Sequence, residues 1–203
     1  MFTGLVAATG TLAERTPRGP GARLTVKATL GDGPFELGES IAIDGVCLTV
    51  NEAVDGGFEA DASFETLART TLGRLPPGAT VHIERSLRAG SPMGGHLVSG
   101  HVDGVGALVG RRPLGDAIVM AFHFPHELAR FVAEKGSVTV DGVSLTVNTV
   151  SPGGDRSADT FEVAIVPHTL AKTKLGALSP GDPVNLEVDL VARYVARILS
   201  VGA

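Results

Sequence analysis

Two histidines and one duplicated thiol or hydroxyl position are the residues of this sequence whose chemistry could serve an active site. His96 and His101 lie five positions apart, each next to a glycine. Cys47 stands in the run IDGVCLTVN, and Ser144 takes its place in the later run VDGVSLTVN. Imidazole, thiol and hydroxyl groups carry protons or act as nucleophiles near neutral pH. The glycines beside the histidine pair predict a tight backbone at the junction of the two halves, and a lone cysteine such as Cys47 is more often a small buried apolar residue than a nucleophile.

The histidine spacing and the cysteine count argue against metal and cofactor chemistry. A structural zinc site needs four ligands, and the sequence around His96 and His101 supplies no third or fourth. The single cysteine excludes a disulfide framework within the chain and a multi-cysteine metal site. No dinucleotide fingerprint, P-loop or HExxH motif occurs. We therefore expect no metal ligand and no cofactor, and structural or solvent-facing roles for His82, His123 and His126.

Composition bears on partners and location. The chain has 17 Lys and Arg against 22 Asp and Glu, a net charge of −5. It therefore lacks the excess of basic residues by which proteins bind nucleic acids and anionic membranes. The first residues lack the basic and apolar segments of a secretion signal, and no apolar run approaches the roughly 20 residues of a membrane span. We expect a cytoplasmic protein that binds neither nucleic acid nor membrane.

The elements that would position these groups occur twice. The matching stretches are residues 43–51 and 140–148, 65–73 and 168–176, and 78–84 and 181–187. Their spacing grows from 97 to 103 positions, which predicts an insertion in the loop-like stretch 151–159. The opening residues 3–6 are aligned with 103–106, which sets Met1 opposite His101 and Phe2 opposite Val102. Two copies of about 100 residues indicate a tandem duplication.

Short β-branched runs bounded by turn residues recur in both copies and predict an all-β fold of small closed barrels. The predicted strands cover residues 22–28, 40–54, 58–62 and 80–84, then 117–124, 137–150, 161–166 and 184–188. Helical turns are predicted at 66–72, 127–133 and 169–175. The last segment, 190–201, has an apolar stripe at helical spacing that packs on its own domain or between subunits.

The duplicated strand is also the first candidate for a pocket wall. Thr49 follows Cys47 by two residues, and Thr146 follows Ser144 in the same way. Residues two apart share one face of a strand. Small polar residues at these positions in both copies predict a face that looks into a pocket. The alternative is an edge strand with solvated threonines.

Four motifs together resemble the riboflavin synthase family. They are residues 1–6 (MFTGLV), 95–104 (GHLVSGHVDG), 141–148 (DGVSLTVN) and 167–170 (PHTL), in order along the whole chain. The resemblance implies tandem duplicated six-stranded Greek-key β-barrels with short helices and a C-terminal helix. It implies one lumazine-binding barrel at 1–96, a second at 97–189, and a helix at 190–203 that makes homotrimer contacts. The sites would then form between subunits.

The resemblance also implies a reaction and a partner. The substrate is 6,7-dimethyl-8-ribityllumazine, and two molecules dismutate by transfer of a four-carbon unit. The products are riboflavin and 5-amino-6-(D-ribitylamino)uracil. Because donor and acceptor are the same compound, no external oxidant or cofactor is needed.

The site residues are likewise implied by the resemblance. His101, Ser144, Thr146 and Asp189 form a catalytic set in the second barrel, facing Cys47 and Phe2 in the first. The first pocket is expected to use Gly4, Leu5, Val6, Leu48, Thr49, Asp61, Ala62, Ser63, Phe64, Glu65 and Thr66. The second is expected to use Gly100, Val102, Leu145, Ile165, Val166, Pro167, His168 and Thr169. Ser40 is a further expected substrate contact, and Lys135 is expected to reach the ligand across a subunit interface.

A non-catalytic lumazine or flavin carrier built on the same duplicated barrel is the main alternative. Such a carrier would keep one pocket and lose the other, whereas both copies here keep the DGV-x-LTVN strand. A flavin reductase barrel is a further alternative, but it would need a separate nucleotide-binding domain. The 203 residues leave no room for one.

Overall fold

The structure is a computed structural model that describes residues 1–153 and 159–201. The described chain forms two closed six-stranded antiparallel barrels followed by a helix, which confirms the predicted all-β fold with short helices and a C-terminal helix. The predicted insertion loop, 151–159, includes residues 154–158, which lie outside the described residues. None of the helices in the described ranges is long and apolar enough to cross a membrane.

The first barrel closes in the strand order β1-β2-β5-β4-β3-β6. Its strands are β1 (Ala8–Arg18), β2 (Gly21–Lys27), β3 (Ser40–Ile43), β4 (Val46–Val54), β5 (Gly57–Ala62) and β6 (Thr80–Arg85). Between β5 and β6 lie helix α1 (Phe64–Arg69) and a 3-10 turn (Thr71–Gly73). Closure pairs the edge strands β1 and β6, so this sheet has no exposed edge.

The second barrel repeats this arrangement. Its strands are β7 (Gly104–Leu114), β8 (Ala117–His123), β9 (Ser137–Val140), β10 (Val143–Ser151), β11 (Thr160–Ile165) and β12 (Pro183–Val188). Helix α2 (Pro167–Lys172) and a 3-10 turn (Lys174–Ala177) take the places of their first-barrel counterparts, and a further 3-10 turn covers His126–Phe131. Helix α3 (Leu190–Val201) follows β12 directly.

Alternating side chains fill both interiors. In β2 every second residue is buried, which turns Ala22, Leu24 and Val26 inward. Aromatic rings complete each core, with Phe122 and Phe161 packed at 5.6 Å between ring centroids in the second barrel. Each barrel therefore has its own core. Packing against that core fixes the inner face of β4, which carries Cys47, and of β10, which carries Ser144.

Strand boundaries differ from the prediction at two kinds of position. The sequence pattern does not predict β1 or β7, because beyond Leu12 and Leu108 these strands are mostly exposed and polar. The stretch predicted as one strand at 40–54 is two strands, broken where Asp44 and Gly45 take positive φ values of 48° and 77°. The stretch at 137–150 breaks in the same way. These two tight turns bring the barrels together.

A buried polar cluster joins the barrels at those turns. Asp44 and Asp141 are both fully buried, and the ammonium of Lys174 contacts both carboxylates, at 3.2 Å from Asp141 Oδ2. The two aspartates also accept hydrogen bonds from the backbone N–H groups of His82 and Asn185, each at 2.7 Å. Burial raises the pKa of Asp141 to about 6, against the attraction of Lys174.

His82 and Asn185 play matching parts in this cluster. The Asn185 side chain donates to Asp44 O at 2.9 Å and accepts from Thr71 N at 2.7 Å. His82 Nε2 accepts from Lys174 N at 2.8 Å, so Nδ1 carries the proton and donates to Asp141 O, also at 2.8 Å. Burial lowers the pKa of His82 to about 4. The imidazole is therefore neutral, and the predicted structural role of His82 is confirmed.

Candidate active site

Each barrel is hydrogen-bonded to the first segment of the other half of the chain. Ser144 N in β10 donates to Gly4 O, and Cys47 N in β4 donates to Gly100 O, both at 2.8 Å. Gly4 and Gly100 have φ values of 76° and 80°. A β-carbon at Gly4 would lie 2.5 Å from Ser144 Cβ, and one at Gly100 would lie 2.6 Å from Cys47 Cβ. Only glycine allows both the conformation and the close approach.

Two buried glutamates hold these exchanged segments in place. Glu84 accepts from Thr3 N and Thr3 Oγ1, each at 2.7 Å, and from Gly4 N at 3.1 Å. Glu187 accepts from Ser99 N, Ser99 Oγ and Gly100 N at 2.7, 2.6 and 2.9 Å. Burial raises the pKa of both carboxyl groups, and these hydrogen bonds oppose the rise. The sequence holds one signal of this role, since a glutamate is the last residue but one of the same strand in both copies.

The matching contacts correct the alignment of the chain start. Thr3 and Gly4 correspond to Ser99 and Gly100, which places Leu5 opposite His101. The alignment of residues 3–6 with 103–106 is therefore wrong. Phe2 pairs directly with Val98 through two backbone hydrogen bonds, of 2.7 and 3.1 Å, at the centre of this arrangement.

The division of segments between the two pockets is also corrected. Val102 packs on the core of the first barrel and Val6 on the core of the second. Gly100, His101 and Val102 therefore belong with Cys47, and Gly4, Leu5 and Val6 belong with Ser144. The expected grouping of His101 with Ser144 in the second barrel is wrong. The sequence pattern places each segment with the barrel of its own half of the chain. It gives no sign that the two halves exchange their first segments.

A cavity of about 260 Å³ opens beside Cys47 in the first barrel. Its walls come from the start of β4, from α1 and from the borrowed segment. The lining residues are Val46, Cys47, Ser63, Glu65, Thr66, Arg69, Thr70, Gly100, His101 and Val102. Of these, Val46, Arg69 and Thr70 escaped the prediction, although they adjoin predicted residues on the same elements. The cavity combines apolar walls, hydroxyl groups and one exposed imidazole.

Local hydrogen bonds fix the wall formed by α1. Ser63 caps the helix by accepting from Thr66 N at 3.1 Å, and the two hydroxyl oxygens lie 2.9 Å apart. Glu65 forms an ion pair with Arg69 at 3.0 Å on the exposed side. Asp61 is engaged elsewhere, because its carboxylate binds the Arg23 guanidinium through two bonds of 2.8 and 3.0 Å.

Cys47 is half-buried at the back of this cavity. Burial raises the pKa of the thiol above its ordinary value. The thiolate is the nucleophilic form of cysteine, so Cys47 is a neutral thiol at physiological pH. This environment favours a role as a small wall residue and weak hydrogen-bonding group over that of a nucleophile.

The second barrel presents the corresponding arrangement around Ser144. Val166 occupies the N-cap position of helix α2 without a side-chain cap, and Pro167 is the first helical residue, so His168 and Thr169 stand where Glu65 and Thr66 stand on α1. Thr146 is exposed two residues beyond Ser144, and Thr49 is exposed in the same way beyond Cys47. Phe64 and Val166 are both exposed at matching helix starts. The two sites share a plan and differ in their reactive side chains.

Ser144 has a partner that Cys47 lacks. Ser144 Oγ lies 2.8 Å from His96 Nδ1, whereas no imidazole in the described part of the chain is hydrogen-bonded to the Cys47 thiol. Burial lowers the pKa of His96, and the charge of Asp189 opposes that change. Asp189 also begins α3 by accepting from Val191 N at 2.8 Å. The sequence marked His96 as one of a pair, but nothing in its spacing indicated Ser144 as its partner.

The remaining predicted residues take two kinds of place. Several are buried within this chain and shape the site from behind: Phe2, Leu48, Ala62, Leu145 and Ile165. Ser40 is half-buried in β3, opposite Thr49. Lys135 is exposed just before β9 with a φ of 65°, and its backbone N–H donates to Val147 O. Lys135 is not among the residues that line the cavity beside Cys47 in its own chain.

Comparison with known proteins agrees with this architecture. The family model described as Lumazine binding domain matches residues 3–86 and 99–189, one match for each barrel, which defines a tandem lumazine-binding protein. Riboflavin synthase of Mycobacterium tuberculosis (strain H37Rv) is 46% identical over 98% of each chain. Riboflavin synthase of Brucella abortus is 42% identical, also over 98% of each chain. The chain belongs to the riboflavin synthase family.

Solved structures show the same fold at greater distance. LumP complexed with riboflavin superposes with a TM-score of 0.82 at 22% identity, over 93% of this chain and 99% of that one. At this identity the likeness establishes the fold alone. The family membership confirms the resemblance found in the motifs, and with it an enzyme of riboflavin synthesis.

Proposed function

We propose that the chain converts two molecules of 6,7-dimethyl-8-ribityllumazine into riboflavin and 5-amino-6-(D-ribitylamino)uracil. The observation that carries this proposal is one arrangement repeated with unequal side chains: Cys47 and His101 line a cavity in the first barrel, and Ser144 lies within hydrogen-bonding distance of His96 at the matching place in the second. A reaction between two identical molecules needs a way to give them different roles. Two sites with one plan and unequal side chains meet that need.

Positioning is the main catalytic task in this reaction. A four-carbon unit leaves one lumazine and joins the other, so both rings must be held face to face. Well-oriented reactants gain about 7–11 kcal/mol over a free encounter in favourable cases. The 260 Å³ cavity has the apolar walls and hydroxyl groups that suit a flat ring with a ribityl chain.

Acid–base assistance is the second task. The 7-methyl protons of a lumazine are acidic because the resulting carbanion spreads into the ring, and a nearby base need only assist their removal. His101 is exposed at the first pocket, and we place Ser144, Thr146 and Asp189 at the second. We assign proton transfer to these groups, with Cys47 as a wall residue of the first pocket.

We also propose that the chain acts as a cytoplasmic homotrimer with its sites between subunits. Support comes from α3, whose apolar residues are 48–69% exposed: Val191, Tyr194, Val195, Ile198, Leu199 and Val201. One turn of this helix is tied to its own barrel by Arg193 and Asp103, at 2.7 Å. The exposed stripe and the exposed Lys135 fit contacts with neighbouring subunits, in which Lys135 reaches the ligand of another chain.

A non-catalytic carrier is the second candidate, favoured by the fold shared with LumP. Identity separates the two, since the chain is 46% identical to a riboflavin synthase and 22% identical to LumP. The described residues also preserve the strand, the helix start and the exchanged segment in both halves. We therefore place the carrier second.

Incubation of the purified protein with the lumazine alone, after treatment with a chelator, tests the proposal. Riboflavin and the diaminouracil should appear in equal amounts, followed by absorbance and chromatography. Tight binding of the lumazine with no conversion would instead support the carrier. If the protein neither binds nor converts the lumazine, the proposed function is wrong.

A further inference from the structure

His96 is held against Ser144 by its contact with the exchanged segment that contains Thr3. Its backbone N–H donates to Thr3 O at 3.2 Å, and Thr3 is fixed in turn by Glu84. A β-carbon on the preceding Gly95 would lie 2.0 Å from Thr3 O and 3.0 Å from Ser144 Cβ. Glycine at 95 therefore lets the imidazole reach the Ser144 hydroxyl.

The imidazole has one further polar atom. His96 Nε2 is buried and has no hydrogen-bond partner among the described residues. A buried polar group left without a partner destabilises the folded chain, so stability alone gives no reason for a histidine here. Burial also keeps the ring neutral by lowering its pKa, and a neutral imidazole can accept a proton.

We propose that His96 is a positioning residue of the second pocket that acts through Ser144, in a relay that removes a proton from the lumazine bound there. This inference rests on the proposed function. The 7-methyl C–H bond of the ligand breaks, and its electron pair remains in the ring system. The proton forms a new O–H bond at Ser144 Oγ as the original hydroxyl proton passes to His96 Nδ1. The carboxylate of Asp189 then faces a positively charged imidazole and stabilises it.

The same arrangement assigns unequal roles to the two ligands. The first pocket places Cys47 where the second places Ser144, and His101 stands where Leu5 stands in the second. The lumazine beside Ser144 would therefore be the one that loses its methyl proton. The lumazine beside Cys47 would receive the attack of the resulting carbanion.

The test compares full-length variants in two assays, turnover of the lumazine and exchange of its 7-methyl protons for deuterium, followed by proton NMR. His96→Ala should lower kcat and the exchange rate on the order of 10²-fold, with KM changed little. His96→Asn keeps a hydrogen-bonding atom near the Nδ1 position but cannot act as a base. It should therefore bind ligand as the wild type does and still exchange slowly. His96→Gln is the second variant should the alanine protein fail to fold.

A double-mutant cycle supplies the matched control. His96→Ala combined with Ser144→Ala should be no slower than Ser144→Ala alone, because both changes remove one relay. His96→Ala combined with Cys47→Ala should show the product of the two single effects. Wild-type exchange in His96→Ala, or effects that multiply with Ser144→Ala, would overturn the inference. Absence of riboflavin with the wild-type protein would instead contradict the proposed function itself.

Discussion

Gly45 and Gly142 lie backbone to backbone across the junction of the two barrels, and a β-carbon on either would stand 2.7 Å from the nitrogen of the other. Both also have positive φ values, 77° and 79°. Alanine at either position would combine backbone strain with a clash against main-chain atoms that have no room to move. The contact lies at the start of the strands that carry Cys47 and Ser144, so it also sets the relation of the two sites.

Gly45→Ala should therefore be strongly destabilising. The left-handed conformation costs a non-glycine residue about 1–2 kcal/mol, and overpacking adds about 1–3 kcal/mol. Gly56→Ala is the matched control, because Gly56 has a φ of 68° and no atom within 4 Å of an added β-carbon. Thermal unfolding should show a clearly larger fall in the midpoint for Gly45→Ala. Equal falls for both variants would show that the positive φ alone, and not the clash with Gly142, causes the destabilisation.

Lys174→Met should destabilise the junction by leaving two buried carboxylates without their cation. Removing one partner of a buried ion pair costs about 3–5 kcal/mol, and Lys174 is only 14% exposed beside Asp44 and Asp141. The exposed Lys172, two residues earlier, provides the control as Lys172→Met. Urea unfolding monitored by circular dichroism would compare them, and similar midpoints for the two variants would contradict the proposed weight of this cluster.

The pH dependence of stability should carry the signature of His82. Its folded pKa of about 4 lies below the ordinary value of 6.5, so its contribution to stability is present above pH 6.5 and is lost as the pH falls towards 4. By pH 5 the loss amounts to about 2 kcal/mol. Asp141 acts in the opposite sense, since its folded pKa is raised to about 6. Its contribution is present at low pH and is lost as the pH rises through 6.

His82→Asn isolates the histidine term, because Asn185 performs the matching role in the other half. The variant should lose less stability than the wild type between pH 7 and pH 5, when urea midpoints are compared at both values. Asp141 is present in both proteins and largely cancels in the comparison. Parallel curves for the two proteins would show that His82 protonates as easily in the folded chain as in the unfolded one.

The Cys47 thiol should react slowly. Burial raises its pKa, so little thiolate is present at pH 7.5 and the reagent must also enter the cavity. We expect 5,5′-dithiobis(2-nitrobenzoic acid) to modify Cys47 at least about tenfold more slowly than the same protein in urea. Added lumazine should slow the reaction further if it occupies the first pocket. A native-state rate equal to that in urea would contradict the cavity environment.

Ile198→Asp should dissociate the proposed trimer, since it puts a charge in the apolar stripe of α3, where Ile198 is 67% exposed. Light scattering coupled to size exclusion should move from three chain masses to one, and turnover should fall with it. Leu37→Asp is the control, because Leu37 is 77% exposed and lies before β3. A wild-type protein that elutes as a single chain would contradict the proposed assembly.

The sequence predicts the duplicated barrels because the repeat and the β-branched runs are local signals. The family resemblance, and not these local signals, places Ser63, Thr66 and Thr169 in the pockets. It does not reveal that Gly100 belongs with Cys47 and Gly4 with Ser144. Those pairings join residues far apart in the chain. The duplicated strands are 97 positions apart, whereas the exchanged segments are 96 apart, so the alignment of the strands does not align the segments.

His96 shows the same limit from another side. Its distance from His101 was visible, yet the two imidazoles serve different pockets, because the chain passes from one barrel to the other between them. Strand β1 was missed for a separate reason. Exposed polar residues and Pro17 remove the alternation on which strand prediction depends.

The exchange of chain segments has an approximate two-fold symmetry, because each half lends its first segment to the other as in an isologous dimer contact. Both halves belong to one chain, so the two sides of this contact need not have the same sequence. Leu5 and His101, like Cys47 and Ser144, are matching positions where the two halves differ and become distinguishable.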